Sequence, residues 1–193
     1  SRNAAIRAAS GDWIMLADND DWNHQSRIEY QMARRKQGVP CLLRSQVRVD
    51  ISGLWTDARS GNSVTPAVTL ADNPNGIPST MLFPKRDTDG YLWLYDESKL
   101  KGEHEELLAR MVKQEENQPV VCDNRRSPMQ EDGVVASMLS VAFYHSLNEL
   151  NREEFFANCT SSNKSSSILP EGLNPTDGEL LKAVLQGYNF TVA

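Results

Sequence analysis

Short apolar runs separated by polar turns set the pattern of this chain, and the period of each run says what it builds. Trp13-Ile14-Met15-Leu16-Ala17 is uninterrupted by polar residues, which predicts a buried strand over 12–17. Ahead of it, residues 3–9 are Ala-rich and end at Ser10-Gly11, the stop signal of a short helix. Residues 23–37 place Ile28, Met32 and Ala33 on one helical face, with Arg27, Arg34, Arg35 and Lys36 elsewhere. Pro40-Cys41-Leu42-Leu43 opens a second strand, extended through Val47 and Val49. Ser52-Gly53 and Ser60-Gly61-Asn62 bracket a hairpin-like excursion around Leu54-Trp55-Thr56.

Residues 62–78 hold Pro66, Pro74, Gly76 and Pro78 and predict a loop. Thr80-Met81-Leu82-Phe83-Pro84 predicts a short strand, and Tyr91-Leu92-Trp93-Leu94-Tyr95 an aromatic core segment. Glu103 to Gln114 carries His104, Leu107, Leu108 and Met111 at helical spacing. Pro119-Val120-Val121-Cys122 predicts a strand, and the apolar stretch Gly133 to Leu150 a helix that holds His145. Residues 158–176 have the Ser/Asn/Pro composition of a linker, and Asp177 to Tyr188 predicts a closing helix. Strands alternating with helices predict an α/β fold with helices gathering toward the C-terminus.

Composition narrows the function classes. A net charge of −6 over 193 residues argues against binding nucleic acid through phosphate neutralisation. No apolar run approaches the roughly 18 residues of a membrane span. Cys41, Cys122 and Cys159 are odd in number and widely spaced, against a disulfide framework or zinc site and for reduced, cytoplasmic thiols. Sequons occur at Asn158, Asn163 and Asn189, a pattern too short to carry weight.

The chemistry gathers in two acidic clusters. The first strand stops at Asp18-Asn19-Asp20-Asp21, three carboxylates in four positions. Ligands of open α/β sheets bind beyond the strands' carboxyl ends, and carboxylates crowded there call for a cation. A solvated turn that caps the helix near Asn23 is the competing reading. An EF-hand loop fits poorly, since Trp22 and Asn23 stand where such a loop needs a ligand and a glycine. The second cluster is Gly102-Glu103-His104-Glu105-Glu106 at the start of a helix, where acidic residues also favour the helix dipole without any catalytic role.

Together, Arg2-Asn3 opening an Ala-rich helix, the strand ending in Asp-x-Asp-Asp, and Glu103 with Leu107 and Arg110 in register resemble the glycosyltransferase family 2, of GT-A fold. The resemblance implies a partial GT-A, Rossmann-like domain with a mixed sheet over residues 1–125; beyond it, the residue pattern gives a helical extension over 126–157 and a linker with a terminal helix over 158–193. The resemblance further implies that the nucleotide-gripping N-terminal βα units precede Ser1, so that the chain alone transfers no sugar. In such enzymes Arg2, Asn3, Asp18, Asp20 and Asp21 would bind the nucleotide-sugar, with Asp20 holding Mn²⁺ or Mg²⁺. The acceptor would be a glycan, lipid-linked or protein hydroxyl, and transfer would be inverting. His104 stands where the family has an Asp as general base, so His104, Glu103 and Glu105 are the candidates for that task. Cys122-Asp123-Asn124-Arg125-Arg126 lacks the family's histidine, leaving Arg125 or Arg126 as diphosphate contacts. A non-catalytic interaction module, derived from such an enzyme, is the alternative that the His104 departure favours.

Overall fold

In a computed structural model of the chain, the described residues are 2–18, 20–50, 67–99, 101–115, 118–124, 139–144 and 153. They form an α/β structure of two mixed four-stranded sheets and three α-helices, the class that the alternating pattern predicts. The chain divides into two compact units. The first comprises 1–18, 26–44 and 74–122, and the second 19–25, 45–73 and 123–193.

The first unit begins with helix α1, Arg2–Ala8, which buries only Asn3 and Ile6, one turn apart on a single face. Strand β1, Trp13–Met15, follows. It pairs antiparallel with β6, Leu82–Pro84, with Ile14 opposite Phe83. The sheet order is β1-β6-β3-β7, where β3 is Cys41–Leu43 and β7 is Val120–Cys122. β6 and β3 are antiparallel, while β3 and β7 are parallel. The expectation of a deeply buried first strand is corrected here. Among the described residues β1 has one neighbour and lies at the sheet edge, and Trp13, Ile14 and Met15 are each only partly covered. Leu16 beyond it is buried, and its amide donates to Met81 O at 2.9 Å.

Helix α2, Arg27–Arg34, is shorter than predicted and turns a different face inward. Ile28 is 51% exposed, whereas Arg27, Tyr30 and Gln31 are buried. The reason is a polar hub. The Gln31 carboxamide donates to Cys41 O and Thr80 O, both at 3.0 Å, and accepts from Arg27 Nε at 3.0 Å. Each of these bonds replaces one that the group makes to water in the unfolded chain. Arg34 stacks on the Tyr30 ring at 3.7 Å. The turn at Gly76 requires glycine twice over: its φ is +84°, and a Cβ there would lie 2.7 Å from Leu42 Cβ.

Helix α3, Glu103–Glu115, presents Leu107 and Met111 to a core that also holds Ile6, Leu16, Met81, Phe83, Trp93 and Tyr95. The aromatic segment 91–95 is thus core at Trp93 and Tyr95, as its composition predicts, although it forms no strand beyond a single bridge from Arg86 to Leu92.

In the second unit the sheet order is β2-β8-β4-β5. β2 is Trp22–Asn23, β4 is Ser45–Asp50, β5 is Ala67–Asp72 and β8 is Ser140–Tyr144. β4 pairs antiparallel with β5 and parallel with β8, and β2 pairs antiparallel with β8. Two expectations are corrected by this sheet. Residues 67–72, predicted as loop, are a strand, because Ala67-Val68-Thr69-Leu70 lies between the prolines rather than among them. Residues 140–144, predicted as part of a helix over 133–150, are a strand with Ser140, Val141, Ala142 and Phe143 all buried. A short apolar run covered on both faces has no period to separate helix from strand. The hairpin around 54–56, the linker and the closing helix fall outside the described residues, as do Arg125, Arg126 and His145.

Candidate functional site

The first unit brings five of the sequence-selected residues to one place. Arg2, on the first turn of α1, donates from Nη2 to Asp18 Oδ1 at 3.0 Å and from Nη1 to Glu103 Oε1 at 2.9 Å. Asp18 stands just past the end of β1 and Glu103 at the first position of α3. One guanidinium therefore bridges two carboxylates that otherwise repel, which its forked, permanently charged shape suits. Burial works against the Arg2 charge, but Asp18 and Glu103 outweigh it and raise its pKa. His104 lies beside the pair, with Nε2 3.6 Å from Glu103 Oε1 and 3.9 Å from Asp18 Oδ2.

Asn3 supports this arrangement from beneath. It is 4% exposed. Its Nδ2 donates to Tyr95 O at 2.9 Å and to Glu97 Oε1 at 2.9 Å, and its Oδ1 accepts the Tyr95 amide at 2.8 Å. The side chain thus mimics a strand partner for Tyr95 and ties α1 to the 93–97 segment. Tyr95 in turn reaches the cluster. Its hydroxyl is 3.0 Å from His104 Nδ1, the two rings meet edge to face, and the Arg2 guanidinium lies 5.8 Å from the Tyr95 ring centre. Tyr95 and Glu97 are the site residues that sequence reasoning missed. The only sequence signal was a hydroxyl-bearing ring at the polar end of an aromatic run.

The protonation states follow from burial and charge. Burial pulls the His104 pKa below its ordinary 6.5, and Arg2 adds to this, while Glu103, Asp18 and Glu105 only partly offset it. Burial raises the Tyr95 phenol well above its usual value of 10.0. At neutral pH both rings are uncharged. In the tautomer with the imidazole proton on Nε2, toward the two carboxylates, Nδ1 would accept from the Tyr95 hydroxyl. The neutral imidazole in this tautomer has no basic lone pair toward the carboxylates.

The remaining candidates lie elsewhere. Glu105 is exposed and lines a groove of about 360 Å³ along α3 with Leu108 and Val112. Asp20 and Asp21 belong to the second unit, where Asp20 is exposed and Asp21 Oδ1 accepts the Phe143 amide at 3.3 Å. An open cavity of the first unit, about 800 Å³, includes Asp12, Trp13, Arg35 and Lys85. It adjoins the start of β1, whereas Asp18 follows its end, and it contains none of the candidate residues. The candidate residues gather at the charged cluster and not at this cavity.

The carboxylates are hard oxygen donors suited to Mg²⁺ or Mn²⁺. Among the described residues no three ligating side chains gather to hold an ion. Asp20, exposed, would offer one such carboxylate, as in sites completed by substrate phosphates.

Residues 1–87 match the family described as Glycosyl transferase family 2; this stretch includes Arg2, Asn3 and Asp18, while Glu103 and His104 lie beyond it. No curated protein and no solved structure gives a significant match. Among the described residues no helix is long and apolar enough to cross a membrane.

Proposed function

We propose that this chain contributes to an inverting transfer of a sugar from a nucleotide-sugar donor to an acceptor hydroxyl on a glycan, lipid-linked or protein substrate. The observation that carries the reading is the convergence of Arg2, Asp18, Glu103 and His104 from three separate elements. An acceptor oxygen attacks the anomeric carbon as the bond to the nucleoside diphosphate breaks, and the bonding pair leaves with the diphosphate. Arg2, half-exposed, is the cation for diphosphate oxygens, and Asp18 is the carboxylate for the ribose.

Glu103 takes the acceptor proton. It is chosen over His104 because in the Nε2-protonated tautomer the neutral imidazole holds its proton on the side facing the carboxylates. It is chosen over Glu105 because that side chain lies along the groove. His104 positions Glu103, and Tyr95 positions His104. Asp20 would hold Mn²⁺ or Mg²⁺, which would supply stabilisation of charge on the leaving diphosphate.

The test is release of nucleoside diphosphate by the natural full-length protein across a panel of nucleotide-sugars in Mn²⁺. Glu103→Gln is expected to lower kcat by about 10²–10⁴, the usual worth of a general base, with donor KM little changed. Asp20→Asn and chelation are each expected to abolish turnover. Full activity in Glu103→Gln would reject the base assignment. Absence of turnover with every donor, alongside a folded protein, would favour a non-catalytic module.

A further inference from the structure

Cys41 and Cys122 lie on the neighbouring parallel strands β3 and β7, in a part of the first unit that the proposed chemistry does not use. Cys41 is opposite Val120 and Cys122 is opposite Leu43. The two cysteines are therefore offset by two residues and project from the same sheet face. Their sulfurs are 3.2 Å apart, closer than two unbonded sulfurs ordinarily pack, and both thiols are reduced. Both residues are buried, at 0% and 3% exposure. A disulfide needs its sulfurs about 2.05 Å apart, about an ångström closer, and because the two-residue offset makes the pair diagonal, β7 must shift slightly against β3 as the bond closes.

We propose that Cys41 and Cys122 form a reversible intramolecular disulfide on exposure to a small peroxide, locking β7 to β3. The sulfur of Cys122 attacks a peroxide oxygen, the O–O bond breaks, and one water leaves to give a sulfenic acid. The sulfur of Cys41 then attacks Cys122, and the hydroxyl departs with the Cys41 proton as a second water. Two thiols lose two electrons and hydrogen peroxide gains them. The sulfur–sulfur contact places each thiol where it can displace a hydroxyl from the other. Burial restricts the oxidant to a molecule near the size of water and shields the finished bond from bulky thiols. The bond spans 81 residues of sequence, so it removes much conformational freedom from the unfolded chain.

The test treats the native chain with hydrogen peroxide, then counts thiols after unfolding in a thiol-capping reagent and maps peptides without reduction. The count is expected to fall from three to one, with a peptide pair joining Cys41 to Cys122. The denaturation midpoint is expected to rise and to return to its starting value after reduction of the unfolded protein and refolding. Cys41→Ser should show no rise and should retain a sulfenic acid on Cys122 that a dimedone probe traps. A wild-type count that stays at three, or a bridge joining Cys159 to either partner, overturns the proposal.

Discussion

His104 carries the most consequence of any single side chain in the cluster. Its folded pKa lies below 6.5 because burial disfavours the imidazolium. The unfolded chain therefore binds a proton first as pH falls, and protonation draws the equilibrium toward unfolding. The His104 contribution to stability is complete above pH 6.5 and is lost as pH falls below it toward the folded pKa. Urea titrations should show the wild-type midpoint falling more steeply than that of His104→Asn over this window, and parallel slopes would contradict the assignment. Arg2 differs in kind. Half-exposed, its two ion pairs contribute about 0–1 kcal/mol each to stability. Arg2→Ala should thus fold normally while weakening any nucleoside diphosphate binding, which a calorimetric titration would show. The resemblance in residue type and motif spacing picked out Arg2, Asp18, Glu103 and His104, and the structure brings these four side chains together. Tyr95 was not legible, since nothing in an aromatic run says which ring turns its hydroxyl toward an imidazole.

At the level of elements, α1 is held by one buried amide more than by apolar area. Ile6 is its only buried apolar side chain, and Asn3 satisfies both backbone groups of Tyr95. Asn3→Ala would leave a buried N–H and C=O unpaired, each at about 1–3 kcal/mol. A loss of about 2–4 kcal/mol in chemical denaturation is expected, while a loss under 1 kcal/mol would show that water replaces the carboxamide. The same theme explains where the elements escaped prediction. α1, α3 and the strands at 41–43, 82–84 and 120–122 follow from apolar period and turn residues. The inward face of α2 did not, because Gln31 and Arg27 are buried by hydrogen bonds rather than by hydrophobicity. The strands at 67–72 and 140–144 take their structure from partners in β4, and pairing over such distances leaves no local trace.

For the molecule as a whole, each sheet contains a parallel pair that joins distant segments: Cys41 opposite Val120 in the first unit, and Val47 opposite Val141 in the second. This has a consequence for the order of events on the ribosome. β3 leaves the exit tunnel long before β7 is made, and its partner edge must wait unpaired for the whole interval. Chains dominated by such remote pairings fold slowly, since loop closure must precede the contacts that reward it. A nascent chain stalled before Pro119 should be protease-sensitive at 41–43 and become protected once residue 122 has cleared the tunnel. Equal protection at both lengths would show that β3 is shielded without β7. Until that moment Cys41-Leu42-Leu43 is an apolar segment of the growing chain with nothing yet synthesised to cover one side, which makes this interval the natural point for a chaperone to engage it.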